Sequence, residues 1–232
     1  MDDSRVLYGS STQTAERVSA FLTRVYGWMF IGLGITAAVA YLVASSPALT
    51  SALMANRLVF FALIVAELGL VFFLSARVQS LEPATAAGLF VAYAALNGVT
   101  LSLILLVYTG ASIATTFIVT GAMFGALAVY GTTTSRSLAG VGQFFFMGLI
   151  GLVLASIVGM FWHSDALQFL ITIVGVIVFT GLTAWDAQRL KQMALTLPDG
   201  QAGAYAVVGA LSLYLNFVNL FLMLLRLQGR RD

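Results

Sequence analysis

The chain has no cysteine, one histidine and three prolines, and only 9% of its 232 residues are charged. Without cysteine there is neither a disulfide framework nor thiolate chemistry. A lone histidine, His163, cannot build a zinc site, and the HExxH and GxSxG patterns are both missing. No strand-then-glycine-rich loop is present to cradle a nucleotide phosphate, so no cofactor and no enzymatic activity are expected. A net charge of +2, with no basic run interleaved with aromatics, excludes a nucleic-acid partner. The shortage of charge itself excludes a soluble domain, which would carry about 25% charged residues.

What fills the chain instead is apolar: 60% of its residues are hydrophobic. Seven stretches stand out, at about 25–45, 57–76, 84–108, 111–131, 141–162, 166–186 and 204–226. Each is close to the ~20 residues that cross hydrocarbon as a helix. They do not alternate polar and apolar as barrel strands do, and in lipid only helices or closed barrels satisfy the backbone. The expected fold is all-α, a polytopic membrane protein with a seven-helix bundle in the bilayer. A polar tail over 1–24, one transmembrane domain over 25–226 and a short basic tail over 227–232 complete the layout. The first apolar stretch exceeds the ~7–15-residue core of a signal peptide, so it reads as a retained span. Ser46-Pro47, Glu82-Pro83, Tyr108-Thr109-Gly110 and Pro198-Asp199-Gly200 supply breaks between spans.

Basic residues set the orientation. With the N-terminus in the cytoplasm, the inside segments hold Arg5, Arg17, Arg24, Arg77, Arg136, Arg189 and Lys191, and the outside segments hold Arg57, Arg226, Arg230 and Arg231. The balance favours a cytoplasmic N-terminus. The basic C-terminal tail points the other way. Two readings follow for the last segment: it crosses despite that tail, or it re-enters and returns the C-terminus inside.

Polar groups at membrane depth are costly and mark working sites. Glu67 lies near the middle of the second stretch and needs a donor, a cation or a proton there. Asp186 closes the sixth, with Thr183 one turn back, Thr180 beyond it, and Gln188, Arg189 and Lys191 following. Asp186 reads either as a working carboxylate or as an interfacial one paired with neighbouring bases. Ser212, Asn216 and Asn219 fall on one face of the last stretch, and Tyr93, Asn97 and Thr100 repeat that spacing in the third. Each stripe reads as interhelical glue or as the lining of a hydrated path. Arg77 is a candidate counter-charge for Asp186, because both fall on the cytoplasmic side. Trp162, Trp185 and Tyr108 read as interface anchors. Gly121 and Gly125 form a GxxxG pair that permits close helix packing.

Several segments resemble the Bax inhibitor-1, or transmembrane BAX inhibitor motif, family in its bacterial form. They are Val25-Tyr26-Gly27-Trp28-Met29, Ile118-Val119-Thr120 through Phe124-Gly125, VGVIVFTGLTAWDAQRLK at 174–191 and LSLYLNFVNLFLMLLR at 211–226. The resemblance implies a bundle whose last helix is surrounded by the other six. It also implies a slow, pH-sensitive calcium leak gated by two aspartates and an arginine. By motif, the first aspartate falls on Asp186, the second on Asn216 and the arginine on Arg77, while Glu67 resembles an acidic position of some relatives. Calcium would then meet Asp186 weakly. Asparagine in place of an aspartate removes a negative charge and the shared proton of a carboxylate pair, so altered pH gating and weaker calcium affinity are expected. The same family is linked to stress protection and to modulation of membrane proteases. A non-transporting interaction protein that offers its N-terminal tail to a membrane partner is therefore the alternative. An intramembrane hydrolase has no base beside a nucleophile to support it.

Overall fold

A computed structural model describes residues 3–162, 164–198 and 201–230, with the side chains of residues 3–12, Arg57 and Met160 excepted. His163, the Asp199-Gly200 turn and Arg231 lie outside the described residues. Eight α-helices follow in order: α1 (Asp3–Ala44), α2 (Pro47–Ala55), α3 (Arg57–Arg77), α4 (Pro83–Leu101), α5 (Gly110–Thr133), α6 (Ala139–Phe161), α7 (Asp165–Thr196) and α8 (Ala202–Gln228). A 3-10 turn at Ser102–Leu106 extends α4. All except the short α2 are long and apolar enough to cross a bilayer, which gives seven spans.

Helix starts follow local chemistry. Pro47 and Pro83 occupy first helical turns, where the missing N–H costs nothing. The side chains of Asn56, Thr109 and Ser164 accept from the first free N–H groups of α3, α5 and α7. Two helices outrun the apolar stretches that announce them. α1 continues unbroken through the polar segment before Val25. α7 continues to Thr196, because Leu190, Lys191, Gln192, Met193, Ala194 and Leu195 are good helix formers even after the hydrophobic run has ended. Asp186 is therefore ten residues inside its helix, about 15 Å from the end at 1.5 Å per residue.

The last helix is central. Of its most hydrophobic stretch 67% is buried, against 6–39% in the other six spans. It packs on α7, α1, α5, α4 and, lightly, α3, while α6 packs chiefly on α7. Lipid tails are as apolar as leucine, so close packing rather than expulsion from water holds such a helix in place. Its first half is rich in small residues: Ala204, Ala206, Gly209 and Ala210 are buried, and Leu190 and Val25 sit over Gly209. α8 also crosses completely. It begins beside Leu197, whose carbonyl accepts from Arg17 of α1. It ends at the opposite face, where Arg230 O accepts from the N–H of Thr109 and Arg230 N donates to Ser112 Oγ, at the start of α5. Of the two readings of this segment, the spanning one holds.

Glycines divide into those that admit a neighbour and those that face open space. A Cβ at Gly131 would lie 2.1 Å from the Ala184 carbonyl oxygen, and at Gly142 equally close to the Trp185 ring. Trp185 thus packs on α6 and is not a free interface anchor. Gly121 and Gly125, the GxxxG pair, meet no atom within 4 Å and join no helices inside the chain. Gly131→Ala is therefore expected to destabilise the detergent-solubilised protein by about 1–3 kcal/mol through overpacking. Gly121→Ala should leave its thermal midpoint unchanged or raise it. Equal melting of the two variants would refute this assignment.

Candidate functional site

The segment after Trp185 gives each side chain a separate task. Asp186 is 7% exposed and Asn216 5%, and Asn216 Nδ2 donates to Asp186 Oδ2 at 2.8 Å, joining α7 to the central α8. The other carboxylate oxygen lies 3.7 Å from Nε of Arg189, one turn along the same helix. That guanidinium stacks on the Trp185 ring at 5.3 Å, and its buried Nε has no hydrogen-bond partner. Gln188 clamps the α5–α6 connection, accepting from Leu138 N at 2.7 Å and donating to Arg136 O at 2.9 Å. Lys191 Nζ donates to Thr132 O at 2.6 Å and so caps the end of α5. The cation beside Asp186 is Arg189, not Arg77. Arg77 is exposed at the end of α3, a peripheral helix packed mainly on α4, and no ion pair among the described residues involves it.

The supporting threonines and the α8 stripe are arranged differently from the expected polar track. The hydroxyls of Thr183 and Thr180 donate back to their own helix, to Phe179 O and Val176 O, and not toward the carboxylate. Ser212 is half-buried. Asn219 Nδ2 donates to Leu215 O on its own helix, and it lines a cavity that Asn216 does not line. On a surrounded helix, a few tens of degrees of rotation is enough to face another neighbour.

The second polar cluster lies across α8. Glu67 of α3 accepts from Thr100 Oγ1 and, at 3.3 Å, from Asn97 Nδ2, so the α4 stripe and the α3 carboxylate meet. Beyond them, the Tyr214 hydroxyl lies 3.0 Å from Asn97 Oδ1 and 2.6 Å from Thr36 Oγ1 of α1, and Thr36 lies 2.8 Å from Ala94 O. Asn97 Oδ1 and Ala94 O only accept, and each hydroxyl carries one proton. Two protons therefore serve three contacts, and one contact at a time is left without a proton. A cavity of about 550 Å³ opens onto this cluster, lined by Glu67, Tyr93, Asn97, Thr100, Asn219 and, toward the far face, Arg226. Tyr214 and Thr36 escaped the sequence reading. Tyr214 counts as apolar in a hydrophobic run, although it stands two residues before Asn216 in LSLYLNF and is fully buried.

Among the described residues no group of three acidic or histidine side chains could hold a metal ion. Asp186 and Asn216 together offer one carboxylate and one amide, thin for calcium, which takes about 6–8 oxygens.

The helices, their length and a buried polar contact at the centre define a multi-pass membrane protein with a hydrogen-bonded carboxylate in its core. The family model described as "Inhibitor of apoptosis-promoting Bax1" matches residues 18–232, and the chain belongs to that family. It is 49% identical over 225 residues to the "Inner membrane protein YbhL" of Escherichia coli strain K12, covering 96% of both chains. It is 44% identical over 213 residues to an uncharacterized protein of Borreliella burgdorferi, covering 91% of this chain and 92% of the other. An uncharacterized membrane protein of Streptococcus pyogenes is 36% identical over 224 residues, with 95% and 97% covered.

Tyr214→Phe keeps the ring that packs edge-on against Phe90 and Tyr93 and deletes only the hydroxyl. Asn97 Oδ1 then loses its donor, and a loss of about 1 kcal/mol in unfolding free energy is expected. An unchanged melting profile in the same detergent would show that the Tyr214 hydroxyl bonds carry no weight.

Proposed function

We propose that the protein is a pH-sensitive cation leak channel, with calcium as its cargo, in a bacterial inner membrane and with its N-terminus in the cytoplasm. The observation that carries this reading is the buried Asp186–Asn216 contact between α7 and the central α8. The printed name of the Escherichia coli relative supports the membrane assignment. A hydrogen bond from an amide to a carboxylate is charge-assisted and stronger than its neutral counterpart. When Asp186 is ionised, both Asn216 and the Arg189 guanidinium hold it. When it takes a proton, the ion pair disappears, the Asn216 bond becomes neutral, and the two helices are free to part. Glu67, with Asn97 and Thr100, supplies the acidic group along the remaining half of the path, in the cavity that Arg226 borders. Arg77 takes no part in the latch. With so few oxygens, calcium passes Asp186 rather than resting there.

The sign follows from the charge state. Asn216 cannot ionise, so the latch is tightest with Asp186 charged, and flux should rise as pH falls through a single-proton transition. In proteoliposomes loaded with a calcium dye, Asp186→Asn is expected to abolish that pH response. Asn216→Asp adds a second titrating group and should restore coupling between two carboxylates, with a second limb where both are ionised and repel. Identical pH profiles for the wild-type chain and Asn216→Asp would defeat the latch mechanism. A chain that passes no cation at any pH would leave the protease-modulating reading standing instead.

A further inference from the structure

α1 and α5 stand on either side of α8 without packing along one another. A continuous crevice separates them, and its character changes along its length. Toward the middle of the bundle it holds about 320 Å³ and is apolar, lined by Met29, Phe30, Phe124, Val129 and Phe217, with Gly121 and Gly125 along the α5 wall. Toward the face where α1 begins it widens to about 880 Å³ and gains polar groups, Ser19, Thr23, Tyr26, Thr132 and Lys191, among apolar ones such as Val18 and Leu195. Leu22, Tyr26, Phe30 and Thr132 line both parts. The Lys191 ammonium spends one of its three protons on Thr132 O, which leaves two for another acceptor.

We propose that this crevice binds one anionic phospholipid, its phosphate at Lys191 and one acyl chain lying between Phe30 and the glycine face of α5. The reading is independent of whether the protein conducts cations. An apolar slot that ends in hydroxyls and a cation matches the polarity of a phospholipid from tail to headgroup. A second copy of the chain matches it less well. Paired through the glycine face, it would bring α5, which contains no acidic residue, opposite Lys191 and leave the ammonium without an anion.

The test uses the full chain, delipidated in detergent and then incubated with phosphatidylglycerol or phosphatidylcholine. Native mass spectrometry reads the number of lipids retained. One phosphatidylglycerol should remain, favoured about tenfold over phosphatidylcholine, as suits a hydrogen bond to a charged partner. Lys191→Gln, which can still donate to Thr132 O, should erase the preference between headgroups. Gly125→Leu, placed where a side chain meets open space, should fill the slot and remove both lipids without loss of folding. Equal retention of the two lipids by the wild-type chain, or lipid binding unaffected by Gly125→Leu, would overturn the proposal. So would a dimer that dissolves in Gly125→Leu, because a second copy would then be the occupant.

Discussion

A polar side chain inside hydrocarbon has no water to fall back on, and it must find its partner within the bundle. That constraint decides which faces of these helices look inward. Asp186 turns α7 toward α8 because Asn216 is there to receive it. Glu67 turns α3 toward α4 because Asn97 and Thr100 are there. Apolar packing alone would leave the rotation of each helix weakly defined, since every face is acceptable to lipid. The few polar contacts fix the rotations, and the small residues of α8 then let the neighbours close on it.

The central helix serves both clusters at once. Tyr214 and Asn216 are two positions apart, which places them about 200° apart around the helix. Tyr214 reaches toward α1 and α4, and Asn216 toward α7. A roll of α8 that lengthens one set of bonds therefore strains the other. The polar groups near Glu67 and the Asp186–Asn216 contact share no side chain, yet residues of the same helix, Tyr214 and Asn216, bond to each.

Much of the architecture was legible in hydropathy. The seven spans needed only run length and composition, and the resemblance in the last two segments named the family before any coordinates. Asp186 and Asn216 were legible as a pair because of that resemblance, not because of their spacing. Hydropathy reports depth in the membrane but not azimuth around a helix. Arg77 lies at a suitable depth to meet Asp186, yet it sits on a peripheral helix facing elsewhere. The apolar run stops at Asp186, but a helix stops only where its backbone or propensity requires. The residues LKQMALT require nothing of the kind. Tyr214 was overlooked for a related reason: its ring satisfies a hydropathy count, while its hydroxyl does the bonding.

An asparagine at 216, where the resemblance implies an aspartate, changes more than the amount of charge. A pair of carboxylates is joined only while it holds one proton between its two members; with none it repels. Its contact is thus tied to an intermediate protonation state. The amide of Asn216 donates whatever the pH, so the contact here is bound most firmly at full ionisation, and Arg189 reinforces the same state from within α7. A carboxylate held by an amide and a pair of carboxylates consequently differ in the protonation state that joins them. The arginine also enters differently. A counter-charge from a separate helix would tie two elements together, but Arg189 belongs to the helix that carries Asp186. It can lower the cost of burying the carboxylate without adding a cross-link, and this leaves Asn216 as the sole bridge that the carboxylate makes to α8.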